Sequence, residues 1–243
     1  YIRDDERYCL WIEDNTLREA ESIPEISHRL ELVKKMRLAS SKKATNKLAN
    51  MPHKFGEIRW FGKPAIIAPT ISSERREYIP CGFLDETVVI SNTAQSIYDY
   101  EPYLFGIISS KMMMIWIRAV GGKFKTDYIF SSSLCYNTFP FPNLSAHKKE
   151  EVTKSVLRIL DVRQKYSEMT LAELYDPIKM PKELRDAHAK NDIAIEQCFR
   201  VTPFANNEER LQYLFNLYEK MLTEENNKST LFEKQNKSRK KKA

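Results

Sequence analysis

The chain has 243 residues, 42% hydrophobic and 30% charged, with a formal net charge of +6. That length buries a sizeable core and suits two domains, and the composition excludes a disordered, collagenous or membrane-spanning chain. The positive balance says little about the folded part: residues 228–243 carry the whole +6, and the other 227 sum to zero.

The tail at 228–243 reads equally as a disordered, solubilising basic end or as a DNA arm. Elsewhere the charge is segregated, with +9 over residues 29–76 and +3 over 105–146 between acidic blocks. Such blocks suit a solvated face or, with Ser, Thr and Asn among the bases, phosphate contact. Cys9, Cys81, Cys135 and Cys198 are too scattered for a metal or disulfide framework and read as reduced, buried thiols. His28, His53, His147 and His188 are equally dispersed, so no metal site is expected. The most apolar stretch contains Lys111 and Arg118, which argues against a membrane partner. A start at Tyr1, without methionine, suggests a piece of something longer.

In chain order, Tyr8–Ile12 reads as a short strand. Ile26, Leu30, Val33 and Met36/Arg37 mark a helix from Pro24 to about Ala39. The next stretch, 40–54, holds Lys42, Lys43 and Lys47 on a basic loop or marginal helix, either a flexible surface or a backbone-tracking segment. Strands are expected at Ala65–Ala68, Tyr78-Ile79 and Thr87–Ile90. Between the first two, Thr70, Ser72, Ser73, Arg75 and Arg76 combine hydroxyls with guanidiniums, a mixture that bonds phosphates and base edges. A second polar loop spans Ser91–Gln95 and includes Asn92 and Thr93.

The stretch 101–130 organises the rest. Leu104, Phe105, Ile108, Met112, Ile115, Trp116 and Ala119 fall on one helical face, and Gly121-Gly122 supplies left-handed residues to stop the helix. Lys123 to Phe130 alternates as one strand, a polar edge presented by a rigid helix. Beyond Pro140 and Pro142 the chain turns helical, over 147–166, 171–177 and 182–199. A last helix is capped at Asn206 or Asn207, with Glu209 as capping-box partner.

No catalytic constellation is visible. Asn137-Thr138-Phe139-Pro140 lacks the paired prolines of an amino-methyltransferase loop, and six glycines form no nucleotide-binding turn. The Asp and Glu-x-Lys signature of a metal-dependent nuclease is absent too. Binding is the better class.

Several collinear runs carry a resemblance: Tyr8–Trp11, Phe55–Ile58, Ser72–Pro80, Gly82–Leu84, Trp116–Val120 and Tyr136–Pro140. They resemble the target-recognition domain of MmeI-type, Type IIL restriction–modification enzymes. Leu171–Pro177, Met180-Pro181, Ala187-His188 and Phe204 to Tyr218 are similar to that family's C-terminal helical domain. The resemblance implies an α+β recognition domain over 1–144 and a helical domain over 145–227, reading double-stranded DNA for catalytic domains upstream.

It also implies an adenine-specific methyltransferase and a nuclease in the same polypeptide, with S-adenosylmethionine and Mg²⁺ used there and no cofactor here. A cytoplasmic setting is expected. In that family two residues separated by one after the helix read a base pair, which matches Lys125 and Asp127. Lysine can donate to guanine and aspartate accept from cytosine N4. Thr70, Ser72, Arg75, Asn92 and Thr93 are further base-reading candidates. Lys42, Lys43, Lys47, Arg76 and Lys123 are backbone candidates. The alternatives are a surface pair at 125 and 127, and a docking module that holds catalytic domains without reading sequence.

Overall fold

The computed structural model describes the backbone of residues 2–3 and 7–240, and side chains as far as residue 225. Packing divides the α+β chain after Trp60.

Residues 5–60 form a unit of their own. Tyr8–Ile12, expected as a strand, is irregular. Trp11 instead packs edge-on against Trp60 at 4.8 Å and stacks on Phe55 at 5.8 Å, so the aromatic content marked packing rather than pairing. After α1 (Leu17–Ser22), α2 (Pro24–Leu38) begins at its proline as expected. Met36 is exposed, whereas Arg37 turns in and donates to the carbonyls of Leu48, Met51 and Lys54 at 2.9, 2.8 and 2.7 Å. Asn46 Nδ2 donates to the Arg37 carbonyl at 2.7 Å. These bonds pin the basic stretch as a short helix, α3 (Lys43–Lys47).

From Phe61 onward lies the larger unit. It contains β1 (Ala65–Pro69), β2 (Ile71–Ser72), β3 (Gly82–Leu84) and β4 (Ala94–Tyr98). Fully buried β1 sits between β3 and β4, antiparallel to both, with Ile66 opposite Phe83 and Ile97. The strands expected at Tyr78-Ile79 and Thr87–Ile90 do not form. Tyr78 and Ile79 are core side chains without a ladder, and β4 occupies the end of the stretch read as a polar loop. Apolar content predicted burial there, but pairing with β1 decided which residues became strands.

The single central helix is two, α4 (Tyr103–Ile108) and α5 (Lys111–Val120). Two buried serines break it: Ser109 Oγ donates to the Phe105 carbonyl at 2.8 Å, and Ser110 Oγ accepts the Met113 N–H at 3.3 Å as the cap of α5. Serine hydroxyls compete with helical backbone bonds in this way. The expected apolar face is otherwise buried or half-buried, except for exposed Ala119. Gly121 is not left-handed, with φ −69°. Glycine is required there by close approach, since a Cβ would stand 2.5 Å from the Ile117 carbonyl oxygen.

One expected strand becomes a hairpin, β5 (Lys123–Phe124) and β6 (Asp127–Ile129), followed by a π-helical turn at Ser132–Tyr136. The helices α6 (Ala146–Lys165), α7 (Leu171–Leu174), α8 (Lys182–Phe199) and α9 (Asn207–Lys240) lie where the apolar spacing puts them. Asn206 Oδ1 accepts the Glu209 N–H at 2.9 Å, while the Glu209 carboxylate takes the Ala205 N–H at 2.6 Å. The backbone of α9 is helical to Lys240, across most of the stretch read as a disordered tail; residues 241–243 lie outside the described residues.

These helices share one core with the strands. Asn191 of α8 donates to the Gly106 carbonyl at 2.9 Å, where a Cβ on residue 106 would collide with Val152 of α6 at 2.6 Å. Trp116 meets Phe215 and Tyr218 of α9, with centroids 5.2 and 5.6 Å apart. Asp192 accepts from Tyr78 Oη at 2.8 Å and from the Lys111 N–H, the first of α5, at 2.7 Å. Burial raises its carboxyl to about 6, against the lowering effect of those two bonds.

A raised acid holds a proton in the folded state that the unfolded chain has released. Asp192 therefore lowers stability as pH rises from about 4 to 6, by about 2–3 kcal/mol, and the loss persists above 6. Asp192→Asn keeps the acceptor for Lys111 and removes the titration. Urea unfolding of the two proteins at pH 4 and 7 is expected to show a stability gap that opens in favour of the Asn variant at pH 7. A gap independent of pH would refute the assignment.

Among the described residues no helix is long and apolar enough to cross a membrane. Of the thiols expected to be buried, Cys81 and Cys135 are, Cys198 is half-buried and Cys9 is exposed.

Candidate nucleic-acid interface

Thr70 is the junction of two small sheets. Its N–H donates to the Thr93 carbonyl at 3.0 Å, its carbonyl accepts the Phe130 N–H at 2.8 Å, and Gln95 Nε2 reaches its hydroxyl at 3.4 Å. The chain passes through it from β1 into β2, which pairs with β6, and β6 pairs with β5. The loops at 70–76 and 91–95, distant in sequence from the hairpin, are thereby gathered beside it.

Register defines the faces. Ser72, Tyr128 and Lys123 stand opposite one another on one face, and Phe124 stands opposite Asp127 on the other. Lys125 and Thr126 form the two-residue turn between the strands. Lys125 is left-handed, with φ 57°, an uncommon conformation for a side chain other than Gly, Asn or Asp. The expectation of Lys125 and Asp127 on one strand is therefore corrected: Lys125 caps the hairpin, and Asp127 opens the returning strand. Such outliers cluster at functional sites.

Arg118, exposed in the last turn of α5, contacts both β6 and the loop at 70–76. Its guanidinium lies 5.9 Å from the Tyr128 ring centre and donates to the Arg76 carbonyl at 3.1 Å. Lys123 Nζ lies 5.3 Å from the same ring. Cation–ring contacts of this kind contribute about 0.5–1 kcal/mol when exposed. Arg76 is half-buried, and burial lowers its basicity while Asp127 and Asp176 oppose that effect.

Among the residues read from sequence, Lys123, Lys125, Arg75, Asn92 and Thr93 are exposed and Asp127 is half-buried. Ser72 is only 3% exposed, because alternation along β2 turns Ile71 outward and Ser72 inward. Its hydroxyl has no hydrogen-bond partner among the described residues and offers no surface to a base. Thr70 is half-buried and its hydroxyl accepts from Gln95, whereas Ser72 supports the site from within. Lys42, Lys43 and Lys47 are exposed on the separate unit of residues 5–60. Sequence reasoning missed Arg118 and Tyr128 as supports; a lone arginine near the end of an apolar helix was the available sign. Among the described residues no group of three or more His, Cys, Asp or Glu side chains could hold a metal ion.

A family model described as "MmeI, target recognition domain" matches residues 1–143, and one described as "MmeI, C-terminal domain" matches residues 144–225. The chain belongs to the MmeI family. Over 221 residues it is 44% identical to "DNA methyltransferase A" of Bacillus subtilis (strain 168), covering 91% of this chain and 25% of that protein. A solved structure of the "Type IIL restriction-modification enzyme MmeI in complex with DNA" superposes with a TM-score of 0.88 at 36% identity. That likeness covers 91% of this chain and 30% of the solved one. This MmeI-family chain thus spans about a quarter to a third of those relatives, the part that carries target recognition.

Proposed function

We propose that the chain selects the double-stranded DNA sequence on which a restriction–modification polypeptide acts. The observation that carries this reading is the hairpin tip: Lys123, Lys125 and Asp127 are joined through one three-stranded sheet to β2, which leads into the sequence-distant Arg75-Arg76 loop. A two-stranded β-ribbon fits the major groove, where donors and acceptors distinguish all four base pairs. Lys125 and Asp127 specify a G·C pair, with Arg75, Asn92 and Thr93 as neighbouring contacts. Arg76, Lys123, Lys42, Lys43 and Lys47 meet phosphates. The match to a DNA methyltransferase and to a DNA-bound Type IIL enzyme supports this reading. Adenine methylation with S-adenosylmethionine and cleavage with Mg²⁺ belong, on the same reading, to domains upstream in the parent polypeptide. The helices α6–α8 brace the reader.

Phosphate contacts release counterions, so affinity falls with salt by a slope of about 0.9 per contact. Lys42→Ala and Lys47→Ala are each expected to weaken binding to unrelated duplexes alike and to lower that slope by about one. Fluorescence anisotropy between 50 and 200 mM salt measures both. An unchanged slope removes the phosphate assignment, and salt-independent or absent duplex binding removes the reading of DNA.

A further inference from the structure

The hairpin presents an apolar side chain where a basic ribbon has no structural use for one. Phe124 is 55% exposed, stands directly opposite Asp127, and is flanked in sequence by exposed Lys123 and Lys125. Ile71, 41% exposed, and half-buried Ile129 oppose one another on the adjoining strands and extend the same face. Tyr128, on the opposite face, is already engaged by Arg118 and Lys123. One face of the ribbon therefore combines a carboxylate with an apolar surface, and the other face is anchored to the protein.

Resting on the DNA reading above, we propose that Phe124 is a specificity-determining residue that packs on the C5 methyl of a thymine. That methyl is the one apolar feature of the major-groove edge. Directly opposed side chains of antiparallel strands have Cβ atoms about 5 Å apart. Stacked bases are about 3.4 Å apart along a strand. An Asp127 carboxylate bonded to a cytosine N4 thus brings the Phe124 ring over the adjoining base pair. The flanking lysines favour an anionic partner over an apolar protein surface.

The test begins with selection of duplexes from a randomised pool by the chain, with each thymine of the selected site then replaced by deoxyuridine. Loss of one methyl, at the pair beside the G·C pair lost in Asp127→Ala, is expected to weaken binding about four-fold. Phe124→Ala should abolish the difference between thymine and uracil, and Phe124→Leu should retain part of it. Because Phe124 is exposed, the melting temperature of the Ala variant should be unchanged. The inference is overturned if no thymine stands beside that pair, if uracil binds as well as thymine, or if the Ala variant still discriminates. A rise in 2-aminopurine fluorescence at that step, reporting insertion of the ring between bases, overturns it as well. In all of these the selected site stands and DNA reading with it, whereas a pool that enriches no sequence sinks both.

Discussion

Exchanging Lys125 for Glu together with Asp127 for Arg is expected to invert the recognised base pair at one position, from G·C to C·G, with activity retained. Lysine donates to the O6 and N7 of guanine, and aspartate accepts from cytosine N4; Glu and Arg reverse the two roles. Each such contact discriminates by about 1–3 kcal/mol, so preference at that pair should change by about 5- to 150-fold. The backbone has no reason to move. Lys and Glu bear similar strain at the φ of 57° found at residue 125, so the exchange adds little there. Asp127 is half-buried at the strand opening, where a longer side chain can extend outward. It also offsets the Arg76 charge, so the single Asp127→Arg change should weaken the site more than the paired exchange. The methylated motif of the polypeptide carrying this chain, or the sequence selected from random duplexes, reads the outcome. An unaltered motif would return the two residues to an ordinary surface pair and leave Asn92, Thr93 and Arg75 as the readers.

Arg163→Ala is expected to destabilise the unit from Phe61 onward by about 3–4 kcal/mol, a fall in Tm of about 10 °C. The side chain is 9% exposed on α6. Its Nη1 donates to the Cys81 carbonyl at 2.7 Å and its Nε to the Tyr175 hydroxyl at 2.9 Å, with Nη2 on the same hydroxyl. The guanidinium also lies 5.2 Å from the Phe105 ring centre and 4.9 Å from that of Tyr175. Tyr175 in turn meets His188 Nε2 at 2.7 Å, and burial keeps His188 well below its usual basicity and therefore neutral. Truncation leaves a buried carbonyl unpaired and a cavity where a long side chain lay. Arg163→Met refills most of that volume but not the bond, and should recover about half the loss. Because one residue joins the recognition segment to α6, α7 and α8, the unit should melt in a single transition, followed by circular dichroism and tryptophan fluorescence. Two separate transitions, or a loss below about 1 kcal/mol, would contradict this role.

The longest apolar stripes were legible in the sequence. In α6, α8 and the first turns of α9 the period of 3.6 residues is enforced by each helix's own geometry, and a single buried face suffices to fix it. Short elements were less so. The aromatic run at Tyr8–Ile12, exposed as far as Leu10, and the buried pair Tyr78-Ile79 have strand-like side chains, yet neither joins a ladder. The break at Ser109-Ser110 needed a structure too, since serine in a helical pattern costs little until its hydroxyl finds a backbone group.

The site divides in the same way. Sequence alone determined the chemistry available: a basic, hydroxyl-rich loop at 70–76, a lysine and an aspartate two residues apart after a buried helix, and the family those residues resemble. It could not say that Lys125 lies in a turn and Asp127 on a strand, that Ser72 faces inward, or that Arg118 grips both the loop and Tyr128. Those depend on pairing between β2 and β6, some 55 residues apart, and a one-residue slip in that register would exchange every inward side chain for an outward one. Local periodicity carries no information about such a partner, so the tertiary structure alone decided which of the candidate residues face outward.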